Sequence, residues 1–400
     1  MRQLRILRIV ASVAIAAAAF LVGTIGQAHA QYVTPQLLNS VSCSDPVYGT
    51  NGSFFQGNNT YPSRADYTSN CSAGNTSNAP GSVVTAVQTL RAATTQTASV
   101  IAARISKLRT ASKTGSPMTV ALNQDHGSIG LAGGDKRRGL GVWFQGAYVH
   151  FDNDQSALQF DGHVFTGLVG IDKRSPDDRL IVGVSAGYEG TGIDTTFNRG
   201  NLDADGFVIA PYLSYELNDG FSIDATLGYA RVAYDMDRRD PITSEVFSGS
   251  TDANRYFGSL TGSYDHVSHK WRYGAHVGAR YSYEGRDSFT ETGTTGTTVA
   301  VGSQNTHLGQ AIFGGTIGYD FGMFKPYVTG QGEYDFTKTD DPVVAANQTQ
   351  PSDSDFGLRL GLGTDIDIAP NITGSFEVNS VLLRSSYSEY VGKARIRVEF

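Results

Sequence analysis

Cysteine is nearly absent from the chain, which has two, Cys43 and Cys71, in 400 residues. Two thiols without a neighbouring histidine fall short of the four ligands that a structural zinc ion needs, so this class of site is excluded. In an exported chain such a pair instead favours one disulfide. The bond would close the loop 43–71 and stabilise the folded state by roughly 3–4 kcal/mol.

Charge is also scarce, since only 17% of the residues are charged and the formal net charge is −7. An acidic balance argues against nucleic acid as a partner. After residue 30 there is no apolar run long enough for a spanning helix. Glycine is abundant (47 residues), and there are 20 tyrosines and 20 phenylalanines. The composition fits either a soluble β-rich protein or a membrane β-barrel, whose spans are short alternating strands.

Motifs of catalysis are missing from the sequence. It has no Gly-x-Ser-x-Gly elbow before a helical pattern, no His-Glu-x-x-His and no phosphate-binding loop. The eight histidines are scattered, and an isolated histidine is usually a solvated polar residue. We therefore expect neither an enzyme nor a bound cofactor.

The first thirty residues have the pattern of a secretion signal. Arg2, Arg5 and Arg8 precede an apolar run rich in alanine and valine, and the triplet Ala-His-Ala at 28–30 fits a cleavage site. An uncleaved membrane anchor is the alternative, because the apolar run is nearly long enough to span a bilayer. The triplet and the polar residues after it favour cleavage, so residues 1–30 are predicted to be a signal peptide.

Three further segments precede the aromatic-rich part of the chain. Residues 31–81 are polar and almost uncharged, which predicts a short loop-rich segment. Residues 82–113 contain no glycine or proline, and apolar residues and threonines recur at spacings of four and three, which predicts a long helix. Residues 114–138 form a linker that contains glycine and serine.

The predicted helix carries cations that no nearby acid opposes. One interpretation is a coiled-coil segment or a helix on a protein surface. The other is a helix inside a polar channel, where a surface of threonine, alanine and arginine suits a narrow wet space. The second interpretation is preferred, with the linker 114–138 as the alternative occupant of the channel. The cations are Arg91, Arg104, Lys107, Arg109 and Lys113.

From Gly139 onward, apolar and polar residues alternate in twelve runs, as strand residues do when the two faces differ. The runs are longer than the five or six residues common in soluble sheets, and aromatic residues gather near their ends as in interfacial girdles. Both features favour a transmembrane barrel over a soluble sandwich, which also alternates. The predicted strands are 139–150, 161–173, 179–190, 204–217, 221–234, 252–266, 271–285, 306–320, 325–337, 355–368, 372–383 and 390–400.

The connections between these strands alternate in length. Outer-membrane barrels have short turns on one side and longer loops on the other, and an even strand number lets the first and last strands pair. The predicted fold class is therefore all-β: a 12-stranded antiparallel transmembrane β-barrel over 139–400, with an N-terminal helix and a short loop-rich N-terminal segment. The five short connections are 175–178, 218–220, 267–270, 322–324 and 369–371.

Charges of both signs occupy the polar faces of the predicted strands. Because charges in a confined space are commonly paired, we expect a structural network of salt bridges in the lumen, which the helix cations join. The principal lumen charges are Glu333, Arg359, Glu377, Lys393, Arg395 and Arg397. Further members are Asp224, Arg272, Arg280, Glu284 and Asp365.

The pattern as a whole resembles the autotransporter (type V secretion) family. FTGLVGIDKRSPDDRLIVGVSAGYEGTGID is similar to the second and third barrel strands of that family, and YVGKARIRVEF to its terminal strand. The resemblance covers 139–400 and implies a monomeric barrel in the outer-membrane lipid of a Gram-negative bacterium. It also implies insertion by the outer-membrane assembly machinery, which reads the last strand. The assembly signal then falls on Tyr390, Ile396, Val398 and Phe400.

The same resemblance implies that residues 82–113 lie in the pore and connect to a passenger outside the cell. Family passengers are often long and repetitive, so the short segment 31–81 argues against an adhesive solenoid or a whole enzyme. The predicted function is to anchor, export and display this segment at the cell surface, with a role in adhesion or another surface interaction. The alternative is a porin-like channel whose N-terminal segment stays in the periplasm.

Overall fold

The computed structural model describes residues 54–56, 59–61, 85–113 and 140–399, with gaps at 155–158, 178, 197, 219, 241–243, 340–353 and 370–371. The predicted signal peptide, both cysteines, the linker 114–138 and Phe400 lie outside the described residues. Within the segment predicted to be loop-rich, β1 (Phe54–Gln56) and β2 (Asn59–Tyr61) form a small antiparallel hairpin.

Twelve antiparallel strands form a closed barrel, which confirms the predicted fold class. The last strand pairs with the first over the range Tyr387↔Asn153 to Glu399↔Gly141, so the sheet has no open edge at membrane depth. In chain order the elements are β3 (Leu140–Asn153), β4 (Phe160–Arg174), β5 (Leu180–Thr195), β6 (Gly200–Asn218), β7 (Phe221–Arg239), β8 (Val246–Ser268), β9 (Trp271–Arg286), the hairpin β10 (Phe289–Gly293) and β11 (Thr298–Val301), β12 (Gln304–Tyr319), β13 (Phe324–Lys338), β14 (Phe356–Ala369), β15 (Ile372–Leu382) and β16 (Tyr387–Glu399).

Side chains on the barrel strands alternate between the interior and the outer surface. On β6 the even-numbered side chains from Leu202 to Tyr212 are buried, whereas Phe207, Ile209 and Leu213 are 44–73% exposed. Exposing apolar area to water costs about 25 cal/mol per Å², so a continuous belt of such residues requires a lipid environment. The period-two pattern in the sequence records this difference between the two faces.

The two ends of the barrel differ in their connections. At one end, five short turns join β4 to β5, β6 to β7, β8 to β9, β12 to β13 and β14 to β15. Two of these turns contain glycines in the left-handed region, Gly220 (φ 111) and Gly322 (φ 94), where a side chain would be strained. The remaining six connections lie at the opposite end. We call these the short-turn end and the loop end.

Several strands extend farther toward the loop end than the sequence pattern predicts. The predicted loop 235–251 is mostly strand, because β7 and β8 remain paired as far as Arg239↔Val246. The predicted loop 286–305 contains the hairpin β10–β11, and β10 pairs with β8. In these extensions the outer face is polar, and only a few inward residues, such as Met236 and Phe247, are apolar and buried, so the apolar alternation is too sparse to mark them as strands.

The helix α1 (Ala86–Lys113) lies inside the barrel and packs against β3, β4, β5, β7, β8, β9 and β12. Its start is four residues later than predicted. Apolar and cationic side chains of the helix are both buried, since Leu90, Ile101, Arg91 and Arg104 are all at most 1% exposed. Among the described residues, no helix combines the length and the apolarity that a membrane span requires.

Candidate functional site

The helix runs through the lumen from the loop end to the short-turn end. Near its start, Arg91 Nη2 donates to Asp335 Oδ2 at 2.7 Å, and Asp335 lies three residues before β13 ends at the loop end. In its second half, Arg104 contacts Asp172, which lies two residues before β4 ends at the short-turn end. The N-terminal end of α1 therefore faces the loop end of the barrel.

The pair of Arg104 and Asp172 anchors the middle of the helix to the wall. Arg104 donates from Nε to Oδ2 and from Nη2 to Oδ1, each at 2.7 Å. Asp172 Oδ2 also accepts a hydrogen bond from Tyr212 Oη at 2.9 Å, and Tyr212 accepts one from Trp143 Nε1 at 2.9 Å. A bidentate arginine–carboxylate pair fixes orientation as well as distance, so this network sets the rotation of α1 in the lumen.

Two glycines give the aromatic rings of this network their space. A Cβ at Gly170 of β4 would lie 2.3 Å from the ring of Trp143, and a Cβ at Gly183 of β5 would lie 2.3 Å from the ring of Tyr212. Each ring thus packs against bare backbone on the neighbouring strand. The hydrogen bonds that reach Asp172 depend on these two close approaches.

Arg91 and Arg109 attach the two ends of the helix. The guanidinium of Arg91 pairs with Asp335 and also lies over the ring of Tyr387, 5.4 Å from its centroid. Arg109 Nη2 donates to Asp224 Oδ1 at 2.5 Å. Three of the five helix cations, Arg91, Arg104 and Arg109, therefore form salt bridges with carboxylates of the barrel wall. The side chains of the other two helix cations, Lys107 and Lys113, lie outside the described residues.

A buried ionic cluster surrounds Glu333 near the loop end. Arg359 Nε donates to Glu333 Oε1 at 2.9 Å, and the guanidinium groups of Arg280 and Arg384 lie 3.3 and 3.8 Å from its carboxylate. Arg384 also donates twice to Asp335, at 2.8 and 3.0 Å, and so links this cluster to the helix residue Arg91. Arg384 lies in a predicted loop, so the alternating strand pattern did not mark it as a lumen charge.

The other predicted lumen charges lie on the wall farther toward the short-turn end. Lys393 Nζ donates to Glu377 Oε1 at 3.1 Å. Arg395 lies 3.8 Å from Asp365 and donates to the main-chain oxygen of Ala103 in the helix at 3.5 Å. The side chain of Arg397 lies outside the described set.

A second ionic cluster is formed by residues of β5, β7, β8 and β9, and of its members only Glu284 was predicted from the sequence. Arg255 forms salt bridges with both Glu189 and Glu284, and Glu284 also accepts a hydrogen bond from Tyr234 at 2.8 Å. Arg255 is 1% exposed. The sequence feature that could have identified these residues is their place in the alternation, since all of them fall on the inward face of their strands.

The residues of the predicted assembly signal lie on the outer face of β16 as far as they are described. Tyr390 and Ile396 are 57% and 55% exposed there. The side chain of Val398 and the whole of Phe400 are outside the described set. Among the described residues, no group of three or more His, Cys, Asp or Glu is placed to hold a metal ion.

Residues 142–379, more than half of the chain, match the family model of the autotransporter β-domain. The chain belongs to the autotransporter family. The translocator domain of the autotransporter NalP from Neisseria meningitidis is similar in structure, with a TM-score of 0.57 and 16% identity over 78% of this chain and 99% of that one. The β-domain of the Bordetella autotransporter Brka gives a TM-score of 0.52 and 14% identity over 66% of this chain and 100% of that one. No curated protein matches the sequence.

Membership of the autotransporter family makes this barrel an outer-membrane translocator of a Gram-negative bacterium. Outer-membrane barrels place their short turns in the periplasm and their longer loops outside the cell. The short-turn end is therefore periplasmic and the loop end is external. With this assignment, the N-terminal end of α1 faces the cell exterior.

Proposed function

We propose that this autotransporter exports the segment before α1 and displays it at the cell surface, where it takes part in adhesion or another surface interaction. The observation that carries the proposal is the direction of the helix. Arg91, in the first turns of α1, pairs with Asp335 at the external end of β13. A segment joined to this end of the helix reaches the exterior without crossing the lumen a second time.

The contacts of the helix support lasting attachment of the displayed segment. Arg104 and Asp172 form a bidentate pair, and their side chains are 0% and 5% exposed. Pulling α1 out of the lumen would separate this pair, and leaving one buried charge without its partner costs about 3–5 kcal/mol. The alternative function, a porin-like channel with a periplasmic N-terminal segment, requires the opposite direction of the helix.

An epitope placed between Cys43 and Cys71 tests display. Protease added to intact cells is expected to remove this epitope while the barrel stays in the membrane. A second epitope in the periplasmic turn 175–178 serves as the control and should survive until the outer membrane is permeabilised. Display is refuted if the first epitope is protected in intact cells and becomes sensitive only together with the second.

We further propose that the outer face of β16 is recognised by the outer-membrane assembly machinery. This strand closes the barrel by pairing with β3, and it presents Tyr390 and Ile396 outward. In the predicted signal these two residues act together with Val398 and Phe400. A recognition surface of this kind affects insertion in the cell without changing the stability of the finished barrel.

Replacing Tyr390 and Ile396 together with alanine is expected to lower the amount of barrel in the outer membrane several-fold. The matched control replaces Phe207 and Ile209, two comparably exposed residues of β6, and should change this amount little. Both variants are also refolded into detergent without any cellular machinery, where they should behave alike. Equal outer-membrane levels of the two variants, or a refolding defect confined to the β16 variant, would contradict a role in recognition.

A further inference from the structure

The helix fills the lumen unevenly. A cavity of ≈ 270 Å³ lies between α1 and the inner wall on the side of β8, β9 and β12–β16. The helix contributes only short side chains to much of this boundary, among them Ser99, Ala102, Ala103 and Ser106. At about 30 Å³ for each water molecule, the cavity has room for on the order of ten.

The wall of the cavity is ionic, and this makes it a wet space. Withdrawing charged groups from water costs several kcal/mol per ion unless partners or water compensate. Polar cavities large enough for water generally contain it, whereas empty cavities are apolar. Members of the charged lining are Asp224, Asp265, Arg272, Asp365 and Lys393.

Exposure along β8 and β9 shows which way the cavity opens. Near the periplasmic turn between these strands, the inward side chains of Ser263, Asp265 and Arg272 are only half-buried. Toward the external end of the same two strands, the inward residues Arg255 and Glu284 are 1% and 3% exposed. Water therefore reaches the cavity from the periplasmic side, and the lumen closes toward the exterior.

The external limit of the cavity coincides with the ionic cluster around Glu333. On β13 the cavity lining ends at Gln331, and the next two inward residues are Glu333 and Asp335. The side chains of Glu333, Asp335 and Arg384 are all 0% exposed. From the helix, Arg91 reaches across to Asp335 and completes this layer.

We infer that the layer formed by Arg91, Glu333, Asp335, Arg359 and Arg384 is the permeability seal of the pore. The body of the helix leaves a water-filled path open from the periplasm up to this layer. On the cavity side of α1 these ion pairs, not the bulk of the helix, separate the periplasm from the exterior; elsewhere residues 86–97 of α1 are themselves buried. This assigns the chain a gating contact that is distinct from export and display, because it concerns the passage of small ions after the helix is seated.

The test is the single-channel conductance of the full chain in planar bilayers. Arg91→Ala is expected to raise the conductance several-fold, because it removes the part of the seal that the helix supplies. Arg91→Gln, which removes the ion pair with a smaller loss of volume, should raise it in the same direction. Folded barrel is verified for each variant by its compact migration in unheated gels.

A second substitution shows which route the ions take. Ala102→Phe directs a ring into the cavity and is expected to return the conductance of the Arg91→Ala variant toward that of the native chain. Ala186→Phe adds the same volume on the exposed outer face of β5 and should not. The inference is overturned if both Arg91 variants conduct like the native chain when folded. It is also overturned if Ala102→Phe leaves the open variant unchanged, since the ions would then pass a displaced helix.

Discussion

Arg104→Ala is expected to destabilise the seated helix by about 3–5 kcal/mol, because it leaves a buried carboxylate without its ionic partner. The side chain of Asp172 is 5% exposed, so water does not replace the two lost hydrogen bonds. A helix seated less firmly also exposes its backbone to protease. The measurements are the temperature at which the barrel loses its compact gel migration and the rate at which trypsin cleaves within residues 86–113.

Two companion variants separate burial from charge. Arg231 pairs with Asp252 at 2.8 Å, but their side chains are 51% and 48% exposed and the pair is screened by solvent, so Arg231→Ala should cost far less than Arg104→Ala. Replacing Arg104 with methionine together with Asp172 with leucine should regain much of the lost stability, because an apolar pair carries no desolvation cost. Equal losses for Arg104→Ala and Arg231→Ala would show that burial of the pair is irrelevant.

Glu333→Gln is expected to lower stability by a similar amount, about 3–5 kcal/mol, because it removes the charge that holds together several buried cations. Three guanidinium groups lie near this carboxylate: those of Arg359, Arg280 and Arg384, at 2.9, 3.3 and 3.8 Å. The amide keeps the shape of the side chain, so the effect reports charge and not a cavity. Thermal unfolding of the purified barrel in detergent measures it.

The control for this prediction is Asp252→Asn, which makes the same chemical change in an ion pair exposed to solvent. Its expected loss is within about 1 kcal/mol. Adding Arg280→Met to Glu333→Gln should recover part of the stability, because it removes one of the cations left in mutual repulsion. A Glu333→Gln barrel that unfolds at the native temperature would contradict the central position given to this carboxylate.

The membrane-spanning parts of the strands were predictable because their two faces meet different surroundings. On β6, Phe207 and Ile209 face lipid, while Val208 between them faces the lumen. This difference imposes a period of two on the sequence, and the short turns mark where each span ends. The same reasoning failed for the outer parts of β7 and β8, where the outer face is polar and only isolated inward residues such as Met236 and Phe247 are apolar.

The contacts of the helix were predictable only in kind. Unopposed arginines in one segment and carboxylates on the inward faces of the strands indicate that salt bridges will form between them. The sequence did not indicate which carboxylate each arginine would contact. Arg104 and Asp172 are 68 residues apart, and Arg91 and Asp335 are 244 apart. Spacing along a strand carries no information about partners so distant.

The sequence by itself determined the barrel, its strand number and the presence of a helix before it, because lipid and turns leave local periodic signals. Tertiary structure alone decided the direction and rotation of α1, the partners of Arg91, Arg104 and Arg109, and the position of the ionic layer around Glu333. These depend on how the closed sheet brings its inward faces around one helix. The closure of the barrel, not any local pattern, sets those distances.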